Sequence, residues 1–531
     1  MTRMFVPLTP IRCLHRAVDL FGAKVGVVSG DQQFTYAQFG ERCERLASAL
    51  AKEGIQSGDR VAYLSFNNNQ LLEGYYGVVQ ARGIVMPLNV RLSAPELTVI
   101  LNHSGAKMLI FESDFAHLVE QLKASCPGIE RYVAIDGDVP FADLKYEELI
   151  DKGVAERADV FGFDEMAPAE LFYTSGSTGT PKGVVLAHRT LYLHALSVAG
   201  LFQQVESLVD LHTIPLFHAN GWGRPQVSTM LGVKQVMVRR FEPRGVFLLI
   251  QEHRATDMCV VPTMANALLN SPDIAKYDLS SLRHLMVGGA AASPELIDRM
   301  EKAFNCDCVA GYGLTETAPV LTSARDKGVP YASDADRCKR QAMAGWAIPN
   351  VSVRVVDAEM RDVPKNMKAV GEVVAMGDHI MEGYYREEEA TRRAMSGHWF
   401  HTGDMAVWDE EGYIHIVDRK KEIIISGGEN ISSLEVEEHI FAHPEVFECA
   451  VVAAPDEKWG EVPAAVVVRK PGSQLTEAAL LEFLAARLGR YKLPRVILFS
   501  EEPLPKTGTG KIRKLILREQ FWAGKEKRVQ G

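Results

Sequence analysis

Helix-like and strand-like apolar spacing alternate through most of the 531-residue chain, and no other feature limits the fold as strongly. SLRHLMVGGAAASPELIDRMEKAF reads as a strand, a glycine turn and a helix. Ser293 supplies a hydroxyl cap for that helix and Pro294 suits its first turn. YAQFGERCERLASALAKEG carries apolar residues at helical spacing and stops at Gly54, and GDRVAYLSF follows as a strand. ELTVILNHSGAKMLIFES reads as helix, turn and strand. Such alternation predicts an α/β fold of layers around mainly parallel sheets. The chain is too long for a single core, so two or more domains are expected.

The pattern changes near residue 345. VSVRVVDAEMRDVP, GEVVAMG and GYIHIVDR are short strand-like segments and predict a small β-rich subdomain. Beyond DRKKEIIISGGENIS the segments SLEVEEHIFAHP, ECAVVAAP, AAVVVRK and TEAALLEFLAARLG read as helix, strand, strand and helix. A boundary at Asp418 to Lys421 therefore divides the chain into domains 1–418 and 419–531. Taken alone, the charged run at that boundary reads as a solvated turn.

Composition narrows the function. At 47% hydrophobic and 24% charged residues the chain can bury large cores, so it is not a disordered protein. A net charge of −10 with no basic run argues against a nucleic-acid binder. The eight cysteines are scattered, and Cys306 and Cys308 lack the two-residue gap of a redox or zinc pair. Reduced thiols are expected. The first residues, MTRMFVPLTPIRCLHRAVDLFG, have no apolar signal core, and no stretch reaches the ~18 apolar residues of a spanning helix. A cytoplasmic protein without an integral membrane segment is expected.

Several segments carry chemistry. TSGSTGTPKG, residues 174 to 183, follows the strand-like ELFYT. Its glycines and hydroxyls exclude a buried strand or a helix and would let backbone N–H groups surround an oxygen-rich anion. It is not a Walker loop, because Lys182 is followed by Gly183 and the glycines are spaced differently. A second glycine-flanked lysine, Lys511, lies in LPKTGTGKIRK and suggests a cation delivered from another domain. GYGLTETA offers Tyr312, Thr315 and Glu316, and a carboxylate beside phosphates suits Mg²⁺. HTGD places Asp404 on a turn, where it would accept two hydroxyls of a ribose. PLFHANGWG sets His218 and Trp222 beside glycines, as a pocket wall requires. Taken singly each has an ordinary structural reading: a core histidine, a packed tryptophan, a turn aspartate. HIFAH spaces His439 and His443 four apart, but Ile440 stands where a zinc protease needs glutamate, so no zinc site is expected.

In order and spacing these segments together resemble the acyl-adenylate-forming superfamily of acyl-CoA synthetases, peptide-synthetase adenylation domains and luciferases. The resemblance covers nearly the whole chain. It implies a large N-terminal domain of stacked α/β subdomains with a β-barrel-like subdomain, and a small mobile α+β C-terminal domain. It implies that Thr174, Ser175, Gly176, Ser177, Thr178, Gly179 and Lys182 hold the β- and γ-phosphates of ATP. Tyr312 would lie against adenine, with Gly289, Ala290, Gly311 and Gly313 at the same nucleotide. Thr315 would contact the α-phosphate and Glu316 would bind Mg²⁺. Asp404 and Arg419 would hold the ribose, with Ile416 alongside. Lys511 would bridge the acid carboxylate and the α-phosphate. His218 would lie near that carboxylate, with Trp222 and Gly288 at the acyl group. Lys421 would be the hinge, and Gly427, Gly428 and Glu429 would lie along the arm of coenzyme A.

The expected activity is ATP-dependent ligation of a carboxylic acid to coenzyme A through an acyl-AMP. No carrier-protein motif follows Lys511, which favours a free-standing ligase over a peptide-synthetase module. TLYLHALSVAG and PLFHANGWG most resemble bacterial medium- and long-chain fatty acyl-CoA ligases, including the methylmercaptopropionate branch. These stretches hold no acidic residue to bind an amino group. Alternatives are a ligase for a short-chain or aryl acid, a luciferase-like oxygenase, and a non-catalytic nucleotide binder that would lack Lys511 or Glu316. The expected partners are small molecules, and a homodimer is compatible with the sequence.

Overall fold

The computed structural model describes residues 5–174, 181–201, 207–420, 422–426, 429–456, 458–506 and 512–523. The chain forms two compact units. One comprises Met1–Val353, Val374–His401 and Glu411–Ile414; the other comprises Arg354–Val373, Thr402–Glu410 and His415–Gly531.

Two sheets organise the first unit. Among the described residues the larger has nine strands, and its centre is parallel: Val209–His212, Asp257–Val260, His284–Val287 and Asp307–Gly313 lie side by side. Val260 pairs with Val287 and Val287 with Ala310, so the carboxyl ends of these strands share one edge. Ligands in open α/β sheets bind beyond that edge. The helix Pro294–Phe304 packs Ile297, Met300 and Phe304 into the same core as Val260 and Val287. It starts as expected, with Leu296 N–H donating to Ser293 Oγ at 3.1 Å. The second sheet has eight strands, with Arg60–Leu64 between the parallel neighbours Ile84–Pro87 and Met108–Phe111. All four residues of Met108–Phe111 are buried. Such unbroken apolar runs suit parallel strands covered on both faces. An antiparallel hairpin, Pro168–Thr174 with Lys182–Ala187, extends this sheet, and Gly383–Tyr384 pairs beyond it.

The short strands expected after residue 345 are present as Val351–Val356, Gly371–Gly377 and Ile414–Arg419. Asp404 lies inside the strand Trp399–Trp408 rather than on a turn. Alternating burial continues through Thr402-Gly403-Asp404, and Gly403 at φ +72° absorbs the local distortion. The pleat overrides the turn signal of the three residues.

The second unit contains a sheet in which Val446–Asp456 and Gly460–Arg469 pair antiparallel over ten positions, with Val496–Ser500 parallel to the latter. Alternate residues face two separate cores. Val451, Ala453, Ala465 and Val467 pack with Val436, Ile440, Leu480 and Leu484. Ala450, Val452, Ala464 and Val466 pack with Leu504 and Leu517. A strand buried on both faces explains why this sequence shows no polar alternation. The charged run at 418–421 is not wholly a solvated turn. Asp418 is 0% exposed and accepts hydrogen bonds from the N–H groups of Arg419 (2.7 Å) and Ser433 (2.5 Å).

All eight cysteines are free, and burial pushes the Cys13 and Cys259 thiols up to about 12, which keeps them protonated at neutral pH. Among the described residues no helix is long and apolar enough to cross a membrane.

Candidate active site

Three carboxyl strand ends supply the first part of the site. Beyond Val209–His212 the chain turns through Ala219, Gly221, Trp222 and Gly223, all at positive φ. A tryptophan at φ +64° is uncommon and has to be held by its surroundings. The loop is tied before and after that turn. Leu216 N–H donates to Asn67 Oδ1 at 2.7 Å, and Arg224 grips Asp210 with two bonds of 2.8 and 2.9 Å. The Asp210 carboxyl titrates below its usual range. Burial, the largest single influence, opposes this, but Arg224, His212 and the Ser228 hydroxyl together outweigh it. The Trp222 indole lies against the turn after His284–Val287. A Cβ on Gly288 would sit 3.0 Å from its Cη2 and 2.8 Å from the Gly311 carbonyl oxygen. A Cβ on Gly289 would sit 3.5 Å from its Cζ2. These glycines let the loop, the turn and the end of Asp307–Gly313 meet. Gly289 and Ala290 are exposed, His218 is half-buried on the same loop as Trp222, and Tyr312 is half-buried on the strand end.

His194 was not singled out by sequence, yet it joins two of these segments. Its Nε2 accepts from Val320 N–H at 3.1 Å, and a Cβ on Gly223 would fall 2.3 Å from its Cε1. Burial, with the neighbouring His379, holds its pKa well below the ordinary value, so it remains a neutral acceptor. No local motif marks such a residue, because its partners are distant in sequence.

The turn after Gly313 carries Thr315 and Glu316. Thr317 Oγ1 accepts from Leu314 N–H at 3.0 Å and shapes the turn. Gly313 is required by packing: a Cβ there would lie 1.7 Å from the Pro319 carbonyl oxygen and 3.0 Å from Leu321 N. Backbone cannot yield as a flexible side chain does. Gly313→Ala is therefore expected to cost about 1–3 kcal/mol of stability and to displace Thr315 and Glu316. Denaturant titration together with pyrophosphate release checks this; unchanged values in both would refute it.

The hairpin of the second sheet brings Lys182 to the same place. Thr174 pairs with Lys182 across it, and Ser175, Gly176, Ser177, Thr178 and Gly179 lie outside the described residues. Lys182 Nζ is 4.9 Å from the centroid of the Tyr384 ring. The Tyr384 hydroxyl donates to Glu316 Oε1 at 2.9 Å. Met381 N–H donates to the Glu316 carbonyl at 2.8 Å, and Tyr385 N–H to that of Gly183 at 2.7 Å. The short strand Gly383–Tyr384 thus links the hairpin that carries Lys182 to the Glu316 turn. Tyr384 escaped the sequence reading, since GYY has no diagnostic spacing. The side-chain oxygens of the Glu316 turn are its carboxylate and the hydroxyls of Thr315 and Thr317, the last of which is engaged with Leu314. Among the described residues no group of three or more His, Cys, Asp or Glu side chains is placed to hold a metal. The Glu316 carboxylate is a hard oxygen ligand of the kind Mg²⁺ takes together with substrate phosphates.

In the second unit Arg419 Nε lies 2.7 Å from Asp404 Oδ1, with Asp404 buried and Arg419 half-exposed. Thr402 Oγ1 accepts from Asp404 N–H at 3.1 Å. Ile416 is half-buried on the strand that ends at Arg419. The two residues expected at the ribose are therefore neighbours. Lys421, Gly427, Gly428 and Lys511 lie outside the described residues, and Glu429 opens the strand Glu429–Ile431.

The AMP-binding enzyme family model matches residues 14–385, and the AMP-binding enzyme C-terminal domain matches 435–511. The chain belongs to the AMP-binding enzyme family. A long-chain-fatty-acid–CoA ligase of Thermus thermophilus is 40% identical over 517 residues, covering 96% of this chain and 94% of its own length. A 2-methylpropanoate–CoA ligase of Humulus lupulus is 35% identical over 531 residues, covering 97% and 95%. ATP-bound MatB from Rhodopseudomonas palustris superposes with a TM-score of 0.86 at 27% identity, covering 97% of this chain and 99% of that one. The expected α/β architecture agrees with this whole-chain likeness.

Proposed function

We propose that this AMP-forming acid–CoA ligase takes a carboxylic acid with an apolar, unbranched or lightly substituted tail of short to medium length. The observation that carries the reading is the convergence of Trp222, Gly288–Gly289 and Gly311 at the carboxyl strand ends, backed by Val227, Cys259 and Val320. Neither HANGWG (218–223) nor GGAAA (288–292) holds a charged carboxylate or ammonium. The relatives' names extend from a long-chain to a short branched acid and so support an apolar tail without fixing its length. Methylmercaptopropionate belongs to the same chemical class. A panel of carboxylic acids with ATP and coenzyme A, read as AMP formation, tests this. We expect kcat/KM to favour an apolar acid over the α-amino acid of equal length by more than about 10²-fold, because an ammonium would be buried unpaired. Preference for the amino acid would overturn the reading.

The reaction has two displacements. A carboxylate oxygen attacks the α-phosphorus of ATP, the bond to pyrophosphate breaks, and an acyl-AMP forms. The sulfur of coenzyme A, having lost its proton, then attacks the acyl carbon, and AMP leaves. The first step joins an anion to a polyanion, so fixed positive charge and orientation dominate it. Lys182 and the backbone and hydroxyls of 174–179 would hold the β- and γ-phosphates. Lys511 would neutralise the carboxylate and the α-phosphate together, and Thr315 would donate to the α-phosphate. Glu316, oriented by Tyr384, would hold Mg²⁺, which offsets phosphate charge. His218 would border the acid carboxylate, and Tyr312 the adenine. Asp404, steadied by Arg419, would accept the ribose hydroxyls. We place the working domains at 1–418 and 419–531, with Lys421 as pivot and Gly427 to Glu429 along the thiol path. The two family matches, which leave 386–434 between them, support a boundary in that interval.

A further inference from the structure

Lys514 opens the helix Lys514–Trp522, three positions after Lys511. Its side chain is only 13% exposed. The ammonium donates to Ser433 Oγ at 2.6 Å and lies 2.8 Å from Glu437 Oε1 and 3.6 Å from Glu422 Oε2. The buried Asp418 carboxylate also acts on it electrostatically. Burial disfavours the ammonium form, yet Glu437, Glu422 and Asp418 together raise its pKa. The carboxylates have further duties. Glu437 Oε1 accepts from Val451 N–H at 2.6 Å, and Asp418 holds the N–H groups of Arg419 and Ser433.

The segment from 507 to 511 joins stems that are both tied down. Lys506 and Ile512 form an antiparallel bridge, and Arg513 N–H donates to the Pro505 carbonyl at 2.7 Å. Glu448 accepts from Leu504 N–H at 2.9 Å and pairs with Lys506 at 2.5 Å. On the other stem Lys514 reaches the helix Ser433–Phe441, and Asp418 and Glu422 flank Lys421 in sequence. A buried ion cluster adds little net stability over well-packed apolar groups, and its best-attested use is to fix register.

We propose that Lys514 is a positioning residue for adenylation, setting the chain that follows Lys511 at a fixed register against the helix Ser433–Phe441, Asp418 and Glu422. The inference rests on the reading of Lys511 as the adenylating lysine. A misplacement of about 1 Å at a reacting group can cost roughly 10²-fold in rate. Lys514 would touch no substrate; it would act through the chain that leads back to Lys511.

Full-length Lys514→Met, Lys514→Arg, Lys514→Met/Glu437→Gln and Lys511→Ala enzymes are assayed for pyrophosphate release and, separately, for thioester formation from supplied acyl-AMP. Adenylation kcat of Lys514→Met is expected to fall roughly 10–100-fold, with KM for ATP and the thioester step within about threefold. Lys514→Arg should recover most of the loss. The double variant removes a buried carboxylate charge left without its lysine, and it must show the same selective loss if the single variant does not fold. Equal loss in both half-reactions of a folded variant, or no loss in either, overturns the proposal. If Lys511→Ala is selective and the Lys514 variants are not, only this inference falls. If Lys511→Ala is itself unselective, the reading of Lys511 falls first.

Discussion

Lys511→Ala is expected to lower the rate of acyl-AMP formation by about 10²–10³-fold, the usual cost of removing one preorganised group that meets developing charge. The carboxylate and the α-phosphate both carry negative charge as they approach, and in the role proposed for Lys511 a single ammonium between them would screen that repulsion. Arginine would keep the charge but spread it over a planar fork, so Lys511→Arg should recover only part of the rate. Thioester formation from supplied acyl-AMP should stay within about threefold of the parent, since the thiolate attacks an already activated acyl carbon and the carboxylate charge that Lys511 would offset is gone. Pyrophosphate release without coenzyme A reads the first step, and thioester yield from acyl-AMP reads the second. Equal losses would show that the lysine supports the fold or the site in general rather than the first step.

The alternation of elements was readable because local spacing determines it. Ser293 and Pro294 announce a helix start by their own chemistry, and the helix begins there. Segments such as AAVVV are apolar on every residue because both faces of their strand are buried, which marks a sheet interior without telling which face meets which core. Asp404 and Asp418 were misjudged for a common reason. A polar residue near glycine or beside other charges resembles a turn, and only long-range pairing shows that it is held within or beside a strand. Tyr384 lies 68 positions from Glu316 and His194 lies 126 from Val320, so neither contact leaves a periodic trace. The close approach of Gly313 to Pro319 is likewise visible only in three dimensions. What sequence could supply was residue chemistry at the ends of predictable elements, and that is what singled out Lys182, Glu316, His218 and Trp222 as candidates.

Glu316→Gln is expected to slow adenylation by about 10²-fold at Mg²⁺ concentrations that saturate the parent, and to regain part of that rate as Mg²⁺ is raised. The carboxamide preserves shape and size. It loses the negative charge that favours a hard cation, and it presents one acceptor oxygen where the carboxylate presents two. In the parent the Tyr384 hydroxyl donates to Oε1, so Oε2 would be the oxygen left for the metal. Tyr384→Phe should therefore reproduce the same phenotype in weaker form, by about 0.5–1.5 kcal/mol, because a hydrogen bond is lost while the charge remains. Lys182, 4.9 Å from the Tyr384 ring centroid, draws on the same ring for its placement, so KM for ATP should rise in Tyr384→Phe less than in Lys182→Ala. Adenylation rates measured against Mg²⁺ concentration at fixed ATP separate these cases. A Glu316→Gln enzyme whose Mg²⁺ dependence matches the parent would leave the carboxylate with only its structural partner, Tyr384. The metal would then have to be held by the phosphates and by groups other than Glu316.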